Sequence, residues 1–362
     1  MRVLYDHQTF SLQQRGGISR YFCEIIPRVS TRAVVSLFMG FHINEYGLGN
    51  ASHQYAHFSG RKVPFMPHTL TIRLSANAFL LNRFADRIDY DIYHQTYFYD
   101  VLGHSRGRRI VTVYDMIYEL YPQEYDQNDP TARNKAEAVR KADAVICISE
   151  STRQDLISIL QVPKEKTRVV HLANSLNCEV IAARLIPSPY ILYVGKRGGY
   201  KNFDTFLRAF SSAAILRKQF DVVCFGGGPF TRSEIEAFTR LDVSTRVKSI
   251  EGSDEVLANL YKYAAVLIYP SQYEGFGIPP LEAMHYGCPV VASKASSIPE
   301  VVGGAGLFCD PSSADDITQK LEAAIFDSDV RSRIIAEGFS REREFSWDRC
   351  ACETLTIYEQ VL

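Results

Sequence analysis

PYILYVGKRGG (189–199) decides the reading of the fold. A short apolar strand runs into a glycine-rich, basic loop, and NFDTFLRAFSSAAIL (202–216) follows with apolar residues at helical spacing. The phrase then repeats. FDVVCFGGGP (220–229) is a buried strand ending in glycines, and SEIEAFTRL (233–241) reads as the next helix. VKSIEGS (247–253), AAVLIYPS (264–271) and CPVVAS (288–293) are further strands, with EVLANLYKYA and PPLEAMHYG as helices between them. Strand, loop and helix at this spacing imply right-handed crossovers and a parallel sheet.

The amino-terminal half carries the same pattern less cleanly. RVLYDH (2–7), DIYHQ (91–95), RRIVTVYD (108–115), ADAVICIS (142–149) and TRVVHLA (167–173) read as strands, with SRYFCEIIPRVS and NDPTARNKAEAVRKA as helices. The fold class is therefore α/β, two doubly wound Rossmann-like halves joined near Pro187-Ser188-Pro189, the first spanning 1–187. Ligands of such sheets sit at the carboxyl ends of the strands. Two facing halves would hold one ligand in a cleft between them.

At 362 residues and 46% hydrophobic, the chain has apolar material for two cores and is neither disordered nor fibrous. Forty basic residues against 41 acidic ones exclude a protein that coats polyanions, and no nucleic-acid partner is expected. Eight cysteines lie scattered, several in apolar runs such as VICIS and DVVCFGG, as buried free thiols of a reducing compartment would. MRVLYDHQTF lacks the apolar segment of a secretory signal, and no apolar run approaches the roughly 20 residues needed to cross a bilayer. A cytoplasmic protein is expected. Charge is uneven, +4 over 1–189 and −5 over 190–362. Residues 61–87 combine Phe65, Met66, Leu70, Phe79, Leu80 and Phe84 with five cations, either a membrane-surface face or a helix with a solvated basic side.

The most specific chemistry lies in EGFGIPPLEAM (274–284), directly after a strand ending at Ser271. Glu274 and Glu282 are separated by seven residues. Gly275 and Gly277 let the backbone approach a ligand, and the prolines start a helix whose first amides suit an anionic or sugar oxygen. Carboxylates accept from pairs of hydroxyls, so one short element can grip a sugar at one end and a ribose at the other. In GKRGGYKN (195–202), Lys196, Arg197 and Lys201 can neutralise a diphosphate, with Lys196 and Lys201 both facing inward across the Gly-Gly turn. Gly16-Gly17 can bring amides against a phosphate. His94, Tyr114, Asp115 and Ser149 fall at strand ends of the first half, where acceptor-facing residues belong. Asp89-Tyr90-Asp91 and Asp327-Ser328-Asp329 match a metal-holding DxD pattern, but one precedes a strand and the other ends a helix, so no metal is expected. No GxGxxG follows an early strand and no GxxxxGK[ST] occurs, so neither a nicotinamide site nor a P-loop is supported.

EGFGIPPLEAMHYGCPVVAS, YVGKRGGYKN and DHQTFSLQQRGGISRYF together resemble the glycosyltransferase family 4 enzymes, over essentially the whole chain. The resemblance implies the GT-B fold, with a nucleotide-sugar-binding domain at 188–344 and a last segment, 345–362, crossing back onto the first, acceptor-binding domain. It implies that Glu274 binds donor-sugar hydroxyls with the amides of Phe276, Gly277 and Ile278, and that Glu282 holds the ribose. Lys196 and Lys201 would clamp the diphosphate, Gly17 would close on it, and Ile250 and Glu251 would edge the base. The family often has Arg where Lys196 stands, so Arg197 would share the clamp. It commonly has His where Tyr114 stands, so Tyr114, Asp115 or His94 would take that part.

The resemblance further implies metal-independent transfer with retention, no cofactor beyond the nucleotide diphosphate sugar, and a bacterial surface glycan as acceptor. The expected activity moves a hexose, with mannose from GDP-mannose as the first donor to test, to a lipid-linked glycan at the inner face of the cytoplasmic membrane. A sugar phosphorylase, a disaccharide synthase and a non-catalytic nucleotide-sugar-binding subunit are the alternatives.

Overall fold

In the computed structural model, which describes residues 1–179 and 183–362, strands of strongly apolar sequence form two all-parallel sheets. The first contains β1 (Arg2–Tyr5), β2 (Val34–His42), β3 (His57–Lys62), β4 (Ile92–Gln95), β5 (Arg108–Val113), β6 (Ala144–Cys147) and β7 (Thr167–Val169), in the order 3-2-1-4-5-6-7. The second contains β8 (Tyr190–Val194), β9 (Asp221–Phe225), β10 (Val247–Ile250), β11 (Val266–Tyr269), β12 (Val290–Ser293) and β13 (Leu307–Cys309), in the order 10-9-8-11-12-13. The order of strand succession reverses between β1 and β4 and between β8 and β11, the two places where a doubly wound sheet opens a crevice. β2, β3 and β13 escaped the sequence reading. β3 is a polar edge strand, HFSGRK, and β13 has only three residues.

Each sheet is covered by helices whose apolar residues recur every three or four positions. Phe203, Phe206 and Phe210 of the helix Phe203–Ser212 lie on one face, fully buried against Tyr193, Val222 and Ile268. Each such ring stabilises the fold by about 2–3 kcal/mol relative to an exposed one.

The chain divides into two compact units, Met1–Leu172 with Trp347–Leu362, and Ala173–Ser346. The first unit thus ends at 172 rather than at 187. The reason is that Asn174, Leu176 and Cys178 already bond to Tyr286 and Glu342 of the second unit. The return begins at Trp347 rather than at 345, because the Phe345 ring packs edge-on against Phe276.

The terminal helix Trp347–Val361 is keyed into the first unit by polar contacts in an apolar surround. The Tyr358 hydroxyl meets that of Tyr5 at 2.8 Å and Nδ1 of His94 at 2.5 Å, while His94 Nε2 meets Thr112 at 2.9 Å. Burial pulls the His94 pKa down to about 3, and that of His7, also buried, to about 4. Both rings are therefore neutral in the folded chain. The unfolded chain takes up these protons below about pH 6.5 and the folded chain does not until 3–4, so protonation favours unfolding. Stability should be full above pH 7 and fall as pH drops through 6.5, by up to about 1.4 kcal/mol per pH unit per histidine. Urea midpoints measured between pH 7.5 and 5 check this, and His94→Gln should flatten the slope; a midpoint independent of pH would contradict it.

Candidate active site

At the switch point of the second sheet, the loops after β8 and β11 are tied together by their own backbone. Gln272 N donates to Tyr200 O at 2.7 Å, and the Asn202 side chain donates to Pro270 O at 3.0 Å and Pro311 O at 2.7 Å. The Tyr193 hydroxyl reaches back to the carbonyls of Lys196 and Lys201. Asn202 adopts φ +59, and Gly195 φ +124, so the loop turns sharply enough to aim Lys201 sideways.

Its ammonium meets Glu274, donating to the two carboxylate oxygens at 2.7 and 2.8 Å. The side chains are 19% and 9% exposed, and the Lys201 charge also lies over the rings of Tyr200 and Tyr269. Glu274 is held from behind: Ser296 accepts from its N–H, and Ser297 donates to its carbonyl and to that of Phe276, both at 2.8–2.9 Å.

Gly277, at φ +104, caps the helix Ile278–His285. Pro279 and Pro280 fill its second and third positions, and prolines have no N–H. The free donors at this helix start are thus narrowed to the segment around Gly277 and Ile278. One helical turn on, Glu282 is buried and accepts from the Tyr261 hydroxyl at 2.8 Å. Burial, and then the Glu282 charge, push the Tyr261 phenol well up, so it stays a donor. Gly275 and Ser271 are buried in the same connection, and Ser293 donates to the Ser271 carbonyl.

Lys196 and Arg197 part company. Lys196 is exposed, and among the described residues no acidic side chain pairs with it. Arg197 is buried: it donates to Glu234 at 2.6 Å and to the carbonyls of Gly226, Gly228 and Pro229 at 2.9–3.1 Å. Its cation sits 4.7 Å from the Phe230 ring centre. The expectation that Arg197 shares a diphosphate clamp is corrected here, since those bonds occupy its guanidinium. Burial alone would raise the Glu234 pKa, but the bonds from Arg197 and Thr231 hold it below the usual range. Gly226–Gly228 all lie at φ between +74 and +79, which turns their carbonyls onto Arg197. Ile250 and Glu251 edge this turn, with Gly226 N donating to Ile250 O.

In the first unit, Gly17 begins the helix Gly17–Ser30, and a Cβ added there would meet nothing within 4 Å. Gly16 differs, because its Cβ would overlap the Gln13 side chain. His94 is sealed in the core by Tyr358 and Thr112, and Ser149 is the N-cap of the helix Glu150–Leu160, accepting from Thr152 N at 3.0 Å. Neither presents itself to an acceptor, which corrects that part of the sequence reading. Tyr114 is buried against Tyr21 and Phe98, and Asp115 follows it half-exposed. Three of the four DxD carboxylates have structural partners: Asp89 and Asp91 pair with Arg2, and Asp327 caps the helix Ser328–Glu342.

The sequence reading missed two groups. At the end of β1, buried Asp6 accepts from Gln8, Tyr93 and Thr96, while the neighbouring His7 Nε2 and Thr9 Oγ1 have no partner among the described residues. Next to Asp115, buried Lys135 donates to Glu119 at 2.8 Å and to the Asp115 carbonyl at 2.9 Å. DHQT directly after RVLY was the available signal for the first; Lys135 gave none.

Two family models cover the chain. One, Glycosyltransferase Family 4, matches residues 15–173, and the other, Glycosyl transferases group 1, matches 183–341. The chain belongs to glycosyltransferase family 4. This family 4 chain is 28% identical to O-antigen chain mannosyltransferase B of Escherichia coli, over 95% of its own length and 96% of that protein's. It superimposes on HepE of Anabaena, crystallised with UDP and glucose, with a TM-score of 0.76 at 17% identity, covering 99% and 100% of the two chains. With the sucrose-phosphate synthase of Thermosynechococcus elongatus the TM-score is 0.78 at 19% identity, covering 99% and 98%. These likenesses establish the GT-B fold.

Removing one partner of the Lys201–Glu274 pair strands the other charge in a half-dry site. Lys201→Met should therefore cost about 2 kcal/mol of stability, and Lys201→Met with Glu274→Leu should recover most of it. Denaturant titration of the single and double variants reads this directly; additive losses would show that the two charges are independent.

Proposed function

We propose that this enzyme transfers a hexose, mannose from GDP-mannose, to a growing lipid-linked bacterial surface glycan, with retention and without a metal. The observation that carries the reading is the Lys201–Glu274 pair at the carboxyl ends of β8 and β11. It puts a cation for a diphosphate and an acceptor for sugar hydroxyls within one bond of each other. Similarity over nearly the full length to the E. coli O-antigen mannosyltransferase supports the choice of glycan and sugar.

Within this reading, Glu274 accepts from hydroxyls of the donor hexose, and the backbone from Phe276 to Ile278 faces the same ring. Glu282, ordered by Tyr261, takes the ribose hydroxyls. Lys201 and the exposed Lys196 hold the diphosphate, and Ser271, Ile250 and Glu251 lie towards the base. The bond from the anomeric carbon to the phosphate oxygen breaks as the acceptor oxygen bonds on the same face, and the acceptor proton passes to the departing phosphate oxygen. No side chain needs to form a covalent intermediate. Catalysis then rests on positioning and on cations that stabilise the leaving charge. Lys201 and Glu274 hold each other in place before substrate arrives, so little rearrangement is needed on binding.

Tyr114 and Asp115 remain the acceptor-side candidates. Among the described residues no helix is long and apolar enough to cross a membrane. The lipid-linked acceptor is reached instead by peripheral contact of residues 61–87 with the cytoplasmic face of the membrane.

Thermal-shift measurements against GDP-, UDP-, dTDP- and ADP-sugars should single out GDP-mannose, and Glu274→Ala should lower turnover about a thousandfold while the chain stays folded, less stable by the about 2 kcal/mol that breaking the pair costs. Donor stabilisation without sugar transfer to any glycan would overturn the reading. Gly17→Ala gives a second check. With open space around Gly17, stability should change by less than about 1 kcal/mol, whereas kcat/KM should fall about tenfold as the added methyl keeps a phosphate from the backbone.

A further inference from the structure

At the edge of the first unit's sheet, β2, β3 and the helix Leu70–Ala85 wall a groove of about 400 Å³. Its shape is fixed by a bulge in β2 between Phe38 and Gly40. Gly40 has φ +55, and the Asn77 side chain occupies the place a Cβ would take. From there Asn77 accepts from Phe41 N at 2.8 Å and donates to Phe41 O at 2.9 Å, pinning the helix to the bulged strand. Leu80, Arg83 and Phe84 then fall at helical spacing on the face that lines the groove, Arg87 joins them from the turn after the helix, and Arg61 lines it from β3.

The charge there is uncompensated. Among the described residues no carboxylate pairs with Arg61, Arg83 or Arg87, whereas Arg2, Arg28, Arg106, Arg108 and Arg109 of the same unit each have one. Three guanidinium groups around one groove repel each other until an anion enters, and their planar forks fit phosphate. The surroundings restrict which phosphate. On the same helix Ile72 is 72% exposed and Phe79, seven residues on, 62%, and in the segment before it Phe65 and Met66 are exposed too. Arg83 lies over the Phe79 ring at 5.6 Å, so the cationic and apolar surfaces are continuous. A site for a free anion has no use for this fringe. At a bilayer, the apolar side chains enter the acyl boundary while the arginines stay at phosphate depth.

We infer that the groove of Arg61, Arg83 and Arg87 binds the phosphate of an anionic membrane lipid while Ile72 and Phe79 insert beside it. This rests on the peripheral contact proposed above and assigns it a specific ligand site.

Co-sedimentation of the full chain with vesicles of phosphatidylcholine, and of phosphatidylcholine mixed with phosphatidylglycerol, tests it. The wild type should bind only the mixed vesicles. R61Q/R83Q/R87Q should bind them roughly a hundredfold more weakly, the loss three cations cause at an anionic surface. R61K/R83K/R87K keeps the charge and loses the forks, and should bind about tenfold more weakly. Because these side chains are exposed, the unfolding midpoint and the donor-induced thermal shift should stay at wild-type values. Failure of the wild type to bind either vesicle overturns the membrane contact itself. Wild-type binding matched by the lysine variant leaves that contact standing and overturns the site. Saturable binding of inorganic phosphate, in a calorimetric titration without vesicles, would assign the groove to a free anion and also overturn the lipid claim.

Discussion

A lysine and a glutamate 73 residues apart meet because β8 and β11 pair in parallel, Val266 opposite Ile191 and Ile268 opposite Tyr193. Two unit charges about 3 Å apart attract by roughly 5 kcal/mol at an effective dielectric near 20, and their partial desolvation takes back a similar amount. The net stabilisation is small, but the geometric constraint is strong. Neither charge can leave its place without exposing the other, so the loops after the two strands are locked in one relation. The backbone bond from Gln272 to Tyr200, the Asn202 side chain and the serines behind Glu274 serve that relation.

The same loop shows why neighbouring cations need not share a role. Lys196 and Arg197 are consecutive, yet one is exposed and the other is surrounded by carbonyls. Three consecutive left-handed glycines create that carbonyl cage, and only a fork of several N–H groups can satisfy it. Arg197 therefore braces the glycine turn that Ile250 and Glu251 edge. A lysine there would leave carbonyls unpaired in a buried site.

In the first unit, polar residues at strand ends proved ambiguous. His94 and Ser149 occupy the same kind of position as Asp115, but an aromatic hydroxyl from a distant helix claims the first and a helix N-terminus claims the second. Such partners lie far away in the chain, or depend on where a helix begins, and strand patterning carries neither. The buried Lys135 was hidden for the complementary reason: in sequence it is one more cation on an amphipathic helix, and only tertiary packing brings Glu119 to it.

The sequence by itself determined the alternation of apolar strands and amphipathic helices, the glycine–proline punctuation around Glu274 and the family. These are local properties, set by hydrophobic periodicity and by backbone conformations open to few residue types. The tertiary structure alone decided the pairing of Lys201 with Glu274, the sequestration of Arg197, the loss of His94 to the core and the boundary after Leu172. Each of these depends on which distant group satisfies a buried charge or hydrogen bond, and strand order, not sequence proximity, sets that.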